Sequence, residues 1–229
     1  MTRLFSYCIP IDDGAAPNPY WGVCTLVICK PRIRKIANSG DWIVSTGSVD
    51  SPIGDIRNHV VYAMKVTKKL SMQTYDTWVR SNAPGKTVDW ENADIRRRLG
   101  DTIYEFKGPF VRQRPSVHGV GNRDVDLGGT FALISDHFYY FGDRPILLPE
   151  HLWPIVKQGQ GHRSNSNAQH LTPFLSWISS LGLAPNTLHG EPQVRLFDDG
   201  ASIDVGKIRC RVEEANVEED DDEPKVGQC

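Results

Sequence analysis

The sequence has no apolar run close to the roughly 20 residues that a helix needs to span a bilayer. Residues 1–10 also lack the basic start, long apolar stretch and small-residue cleavage site of a secretory signal peptide. We therefore expect a cytoplasmic protein without a membrane partner. The hydrophobic content of 39% and the charged content of 24% are typical of a globular protein.

Disulfide and zinc frameworks are poorly supported. The five cysteines lie at positions 8, 24, 29, 210 and 229, and no two of them have C-x-x-C spacing. An odd number at this spacing argues against a disulfide scaffold and against a four-cysteine zinc site. We interpret Cys8, Cys24 and Cys29, which lie in apolar sequence, as small buried hydrophobic residues.

Familiar catalytic and nucleotide-binding motifs are also missing. There is no G-x-G-x-x-G after a strand, no G-x-x-x-x-G-K-[ST] and no H-E-x-x-H. The sequence therefore predicts no metal site, and it does not identify a cofactor. Four of the seven histidines could still converge in the fold, namely His118, His137, His162 and His170.

Charge is distributed unevenly along the chain. Residues 213–229 hold eight acidic residues and one lysine, which leaves 25 basic and 20 acidic residues in positions 1–212. We predict one domain over residues 1–212 and an acidic disordered tail over residues 213–229. Sixteen basic residues lie between Lys30 and Arg114, which gives mild support to a polyanionic partner. It is equally possible that these basic residues are scattered over a solvated surface and bind no polyanion.

The order of local segments favours a mixed fold. Short strand-like segments dominate the first 140 residues, and helical segments interrupt them irregularly. This pattern predicts an α+β fold with a curved sheet or small β-barrel and peripheral helices. Pro31 suits the first position of a short helix to Ala37, and Ser71 suits the N-cap of a helix over residues 72–80. Weak strands are expected at residues 194–197 and 208–212.

Two tryptophans are candidates for holding a nucleic-acid base. Trp21 follows Tyr20 in a turn rich in Pro and Gly, and Trp42 begins a β-rich segment directly after Asp41. An aromatic side chain contributes about 1–3 kcal/mol of stacking per base. We predict a base-binding site of Tyr20, Trp21, Asp41, Trp42 and Ser45. Core packing of Trp42 and a turn role for Asp41 are the alternatives.

Asp136 and His137 are candidate catalytic residues, because an acid beside a histidine between two apolar segments could act in proton transfer. Adjacent residues on a strand point to opposite faces, however, so the two side chains would not touch in an extended segment. A turn role for Asp136 and a backbone hydrogen bond of His137 are therefore also possible.

A long polar segment over residues 157–170 is a candidate for phosphate binding. Its two glycines allow close backbone approach, and a row of donors follows them. We predict phosphate contacts from Gly161, His162, Arg163, Ser164 and Asn165. A mobile surface loop is the alternative.

Three segments carry a resemblance that covers most of the chain: SYCIP with APNPYWG at residues 6–10 and 16–22, GDWIVSTGS at 40–48, and LISDHFYYFG at 133–142. Together they resemble the second type of nucleotide modification associated domain. Residues 40–48 and 59–66 resemble, more loosely, the strands of the PUA-like superfamily, which includes EVE, ASCH and YTH domains. The first resemblance implies a setting in the hypermodification of DNA bases in phages and bacteria, and the second implies a small barrel that holds a base.

These observations favour a module that binds a modified or flipped-out base or nucleotide. An enzyme for one step of base or nucleotide hypermodification is the first alternative, and an adaptor for modification enzymes is the second. The expected partners are nucleic acid, with DNA favoured, or a nucleotide, and other DNA-modification proteins.

Overall fold

The computed structural model of the protein describes residues 1–193. The strands expected at 194–197 and 208–212 and the acidic segment 213–229 lie outside the described residues. No helix of residues 1–193 is both long and apolar enough to cross a membrane.

The described chain contains strands and short helices in irregular order. The helices are α1 (Pro31–Ile36), α2 (Met72–Asn82), α3 (Ile95–Arg98), α4 (Arg123–Gly128) and α5 (Leu171–Ser180). The strands are β1 (Leu4–Cys8), β2 (Cys24–Leu26), β3 (Trp42–Thr46), β4 (His59–Lys65), β5 (Lys68–Ser71), β6 (Tyr104–Lys107), β7 (Phe110–Gln113), β8 (Phe131–Ser135), β9 (Phe138–Tyr140), β10 (Ile146–Leu147) and β11 (Thr187–Leu188). Short 3₁₀ turns occupy Pro84–Lys86, Val120–Asn122, Glu150–Ile155 and Ala168–His170.

Both helix starts follow from local chemistry, and both predictions are confirmed. Pro31 occupies the first turn of α1, where its missing N–H costs no intrahelical hydrogen bond. The Ser71 hydroxyl caps α2 by accepting the Thr74 backbone N–H at 3.1 Å.

The largest sheet has the order β1-β3-β4-β9-β11, and β10 also pairs with β4. β1 is parallel to β3, whereas β4 is antiparallel to both of its neighbours, β3 and β9. β11 returns parallel to β9. We call this the central sheet. A second sheet has the order β2-β8-β5, and β6 and β7 form a separate two-stranded ribbon.

The sheets are stacked layers. Alternate side chains of a strand point to opposite faces, and on β1 Leu4 packs with α5 residues such as Phe174, while Phe5 packs with second-sheet residues such as Leu133. Helix α2 covers the far side of the second sheet through Met72, Tyr75 and Val79. The layer order is therefore α5, central sheet, second sheet and α2.

The expected α+β class is confirmed, but the sheets described over residues 1–193 stay open, so the small β-barrel is not what forms. The reason lies at residues 136–137. β8 pairs with β2 and β5, whereas β9, directly after it, pairs with β4 in the central sheet. The chain thus steps from one layer to the other instead of continuing one curved sheet. The PUA-like resemblance stays an expectation.

A buried polar network fastens the second sheet to its surroundings. Lys86 is fully buried, and its Nζ donates to the Asn18 side-chain and main-chain oxygens at 2.7 and 3.0 Å and to Thr25 Oγ1 at 2.8 Å. Thr25 and Tyr75 in turn donate to the carboxylate of Asp101. Burial lowers the pKa of Lys86 to about 8. The network is satisfied only while both ionisable groups are present.

Replacing Lys86 by Met should therefore destabilise the fold by about 3–5 kcal/mol, because it leaves the Asp101 carboxylate buried without its cation. The free energy of unfolding in urea measures the loss. Lys65, which is exposed, provides the control as Lys65→Met, with an expected change below about 0.5 kcal/mol. Equal effects of the two variants would contradict the account.

Candidate active site

Cys29 lies in a strained turn between a strand and a helix. It follows the end of β2 by three residues and precedes the first residue of α1 by two. Its φ is +57° and that of Lys30 is +40°, a region that residues other than glycine rarely adopt. Such conformations cluster at functional sites, where the surrounding structure holds them. The Cys29 side chain is partly exposed.

Two further side chains form a line with the thiol. The Cys29 Sγ lies 3.5 Å from His118 Nε2. The other ring nitrogen, Nδ1, lies 2.7 Å from Asp126 Oδ2. His118 is nearly buried and Asp126 is fully buried. The three residues come from the turn before α1, the segment between β7 and α4, and α4 itself.

The Asp126 carboxylate is held by two more donors. The backbone N–H of Cys29 donates to Oδ1 at 2.9 Å, and the Tyr104 hydroxyl donates to Oδ2 at 2.9 Å. Burial is the largest cause that raises the Tyr104 pKa, so this hydroxyl keeps its proton for donation. The carboxylate therefore fixes both the main chain of Cys29 and the imidazole of His118.

Arg34 of α1 connects the segments of Cys29 and Asp126 through hydrogen bonds to main-chain carbonyl groups. It is fully buried, its Nε donates to the Cys29 carbonyl at 2.7 Å, and its Nη1 donates to the Phe131 carbonyl at 3.0 Å. Its Nη2 donates to the main-chain carbonyl of Asp126. Gly129 packs against the guanidinium so closely that a Cβ there would lie 2.3 Å from Arg34 Cζ.

The order of thiol, imidazole and carboxylate is similar to that of catalytic triads in which a cysteine is the nucleophile. When Nδ1–H donates to the carboxylate, Nε2 keeps a lone pair that can accept the thiol proton. A cysteine paired with a histidine is activated as its thiolate, which is the reactive form. Triads are recognised by these roles and distances, not by the order of residues along the chain.

A metal ion fits the same residues less well. Cys29, His118 and Asp126 are the one group of His, Cys and acidic side chains in residues 1–193 whose ligand atoms lie within 4.8 Å of one another. Because the Nδ1 of His118 is hydrogen-bonded to Asp126, however, an ion at Nε2 would be bound directly by His118 and Cys29 alone. Zinc sites use three or four protein ligands. The sequence predicts no metal site, and it does not indicate that Cys29, His118 and Asp126 lie together.

The expectation that the cysteines are buried is confirmed for Cys24 and wrong for Cys8 and Cys29, which are partly exposed. Cys29 differs because it lies beyond the end of its strand, in the turn. Burial raises the pKa of Cys24 to about 12 and also raises that of Cys8. Neither of those thiols is therefore poised as a nucleophile at neutral pH.

Asp136 and His137, the predicted catalytic residues, lie where the chain crosses between the sheets. Asp136 is exposed, and His137 is partly buried with its ring 5.4 Å from that of Trp42. Ser135 Oγ donates to the His137 carbonyl at 2.8 Å and accepts its N–H at 3.1 Å. Burial lowers the His137 pKa, so the ring is neutral near pH 7. These bonds are those of a turn.

Tyr20 and Trp21, two of the predicted base-binding residues, pack near the second sheet. Tyr20 is buried, with 7% of its surface exposed. Trp21 packs on Gly85, where a Cβ would lie 2.2 Å from the indole, and the Arg96 guanidinium lies 5.1 Å from its ring. The indole is thus already engaged by the protein.

The other three predicted base-binding residues lie in or beside the central sheet. Trp42 and Ser45 are buried, and the Trp42 ring lies 6.3 Å from Phe174 in an edge-to-face contact. Asp41 is buried and accepts the backbone N–H groups of Arg3 and Asn38 at 2.8 and 2.9 Å. Asp41 anchors the chain through these hydrogen bonds. Trp42 packs in the core and does not present an open surface on which a base could stack.

The predicted phosphate-binding loop is fastened to the edge of the central sheet. Arg163 exchanges two backbone hydrogen bonds with Ser6 of β1, at 2.8 and 2.9 Å. The backbone N–H of Arg163 is therefore used in a hydrogen bond to Ser6. His162 and Ser164 are buried, Gly161 has a φ of +84°, and Asn165 is exposed. Phosphate binding by this loop stays a prediction.

The structure thus brings together Cys29, His118 and Asp126, which lie far apart in the sequence, whereas the predicted site residues lie in several separate places. The sequence indicates His118 only as one of four histidines that could converge, and no motif points to Asp126. One local clue exists: Cys29 ends the apolar run of residues 23–29, two residues before the proline that opens α1. A nucleophile in a strand-turn-helix junction is a recurrent arrangement.

The fold and these side chains define an α+β protein with a linked thiol, imidazole and carboxylate at the edge of its second sheet. The family model described as nucleotide modification associated domain 2 matches residues 1–198, and the chain belongs to this family. The match confirms the resemblance found in the sequence and indicates a role in nucleotide or DNA modification. No curated protein and no solved structure matches the chain.

Gly129→Ala should disturb this site, because its Cβ would displace the Arg34 guanidinium that binds the Cys29 and Asp126 carbonyls. We expect a loss of about 1–3 kcal/mol in unfolding free energy and a slower reaction of Cys29 with iodoacetamide. Gly128→Ala is the matched control, since a Cβ there meets nothing within 4 Å. If both variants match the wild type, the Arg34 guanidinium does not hold Cys29 in place.

Proposed function

We propose that the protein is an enzyme for one step of nucleotide or DNA modification, with Cys29 as its nucleophile, His118 as its general base and Asp126 as the group that orients the base. The observation that carries this proposal is the continuous chain from Cys29 Sγ to His118 Nε2 at 3.5 Å and from His118 Nδ1 to Asp126 Oδ2 at 2.7 Å.

The reaction class that suits this chain is acyl transfer. His118 accepts the thiol proton, and the Cys29 sulfur attacks the carbonyl carbon of an acyl donor. The bond to the donor's leaving group breaks, that group takes the proton from His118, and a thioester remains on Cys29. An amine on a base or on its substituent then attacks the thioester, the amide forms, and the sulfur leaves as the thiol.

The tetrahedral intermediate needs donors for its oxyanion. The backbone N–H of the nucleophile often serves in this role. Here the Cys29 N–H donates to Asp126 Oδ1, so it is occupied in the resting state. The proposed reaction therefore relies on donors other than this amide, or on the substrate's own groups, for the oxyanion.

The base-binding alternative receives less support from the same geometry. Trp42, Tyr20 and Ser45 are buried, and Trp21 is packed on Gly85. Base stacking needs an aromatic face open to the ligand. The buried residues would have to leave their packing to bind a base. Trp21 is partly exposed, as Cys29 is, but its ring is already in contact with Gly85 and lies 5.1 Å from the Arg96 guanidinium.

An unspecific activated ester tests the nucleophile without knowledge of the natural substrate. With p-nitrophenyl acetate, the wild type should release a burst of nitrophenolate and carry one acetyl group on the Cys29 peptide, located by mass spectrometry. His118→Ala should lower the acylation rate by about 100-fold, since general-base catalysis contributes factors of this size.

Cys8→Ala is the matched control, because Cys8 is also partly exposed but its Sγ contacts the Gly47 carbonyl instead of an imidazole ring. It should keep the full burst, and Cys29→Ala should lose it. Acetylation that is spread equally over the thiols, or a rate that His118→Ala leaves unchanged, would contradict the proposal.

A further inference from the structure

The ribbon of β6 and β7 has one face for the core and one for solvent. Cross-strand partners lie on the same face. Phe106 and Val111 are such a pair, and both pack against the core near α2. The pair Lys107 and Phe110 therefore belongs to the outer face, together with the pair Glu105 and Arg112. Gly108, with a φ of +60°, and Pro109 form the two-residue turn.

Phe110 is exposed to an extent unmatched by the other aromatic residues described. The exposed fraction of its side chain is 77%, whereas Trp153, the next, has 42% and donates its Nε1–H to the Leu148 carbonyl at 3.0 Å. The Phe110 ring lies near the tip of the ribbon on the face opposite to that of Phe106, which packs against the core. Its exposure favours a contact with a partner.

Positive charge surrounds this ring. Residues 104–114 contain three basic residues and one acidic residue. Lys107 and Arg112 are exposed beside Phe110 on the outer face. Glu105 pairs with Lys107 at 2.9 Å and with Arg114 at 3.5 Å, and Arg114 also pairs with Asp76 at 3.2 Å. The outer face beside the ring therefore carries the two cations Lys107 and Arg112 against the one carboxylate of Glu105. The chemistry is that of an apolar wedge flanked by phosphate-binding groups.

The ribbon is joined directly to the triad. Tyr104 of β6 donates to the Asp126 carboxylate, and Gln113 of β7 donates from Nε2 to the His118 carbonyl at 2.9 Å. Arg123 of α4 donates to the Val111 carbonyl at 2.7 Å. The base of the ribbon thus holds the main chain of His118 and the carboxylate of Asp126, while its tip carries the exposed phenyl ring.

We infer that this ribbon is a contact surface for double-stranded DNA, in which Phe110 enters the base stack and Lys107 and Arg112 bind phosphates. A two-stranded ribbon fits a DNA groove, and inserted Phe side chains unstack base steps in known complexes. An enzyme that acts on a base in a duplex must take that base out of the stack. The inference deepens the proposed function, because it identifies the substrate as duplex DNA.

The test uses a duplex with one 2-aminopurine, whose fluorescence rises on unstacking, and a second, end-labelled duplex for affinity at two salt concentrations. Wild type should bind and raise the 2-aminopurine signal. Phe110→Ala should lose most of that signal and bind about tenfold more weakly, in line with one lost stacking contact. Phe110→Trp should restore both. Arg112→Ala should reduce the slope of log affinity against log salt by about one.

Leu147→Ala is the matched control, because Leu147 is also an exposed apolar residue, at 55%, but lies on β10. It should behave as the wild type. Equal unstacking by wild type and Phe110→Ala overturns the inference, as does binding restricted to RNA, single strands or free nucleotides.

Failure of this inference can be told from failure of the proposed function. Phe110→Ala should keep the acetylation of Cys29 by p-nitrophenyl acetate, and Cys29→Ala should keep duplex unstacking. If Phe110→Ala fails to unstack while acetylation persists, the wedge is supported separately from the triad. If unstacking is absent in the wild type while acetylation persists, the triad stands and the wedge is overturned.

Discussion

The buried carboxylate of Asp126 is the point at which the main parts of the candidate site meet. It accepts hydrogen bonds from the main chain of Cys29, from His118 and from Tyr104. These donors lie in separate segments of the chain, and a buried carboxylate is stable only when such donors satisfy it. The same bonds that make its burial tolerable therefore set the position and the tautomer of the imidazole.

Arg34 complements Asp126 from the opposite side. Its guanidinium binds carbonyl oxygens of Cys29, Asp126 and Phe131, so it connects the turn before α1 with α4 and with the start of β8. The left-handed backbone at Cys29 is costly in isolation. Bonds to both its N–H and its C=O hold it, which explains how a partly exposed residue keeps a defined orientation. The buried Asp126 carboxylate and Arg34 guanidinium thus hold Cys29 in its orientation.

The sequence predicts the local parts of the fold better than the site. The start of α1 at Pro31 and the N-cap at Ser71 depend on neighbouring residues alone, and both are confirmed. The barrel is not, because whether β9 continues the sheet of β8 or joins β4 depends on long-range pairing. Trp42 shows the same limit, since a tryptophan at a strand start is compatible with a ligand or with the core.

The triad could not be read from spacing. Cys29 and His118 are separated by 89 residues. The packing of α1 against α4 and the hydrogen bond from the Cys29 N–H to Asp126 bring their segments together. His118 and Asp126 are eight residues apart with two different turns between them, which matches no regular period. A sequence can suggest Cys29 as a candidate from its place at a strand end, but the partner that activates it emerges from the tertiary structure.

The pH dependence of the alkylation of Cys29 by iodoacetamide tests the central claim most directly. Each cysteine is followed separately by peptide mapping, so that Cys8 and Cys24 serve as internal references. A thiolate paired with protonated His118 should react at a rate that stays high below about pH 7, where an ordinary thiol with a pKa near 8.5 slows about tenfold for each pH unit. If Cys29 slows in that ordinary way, and His118→Ala does not change its profile, the triad is not a working nucleophile.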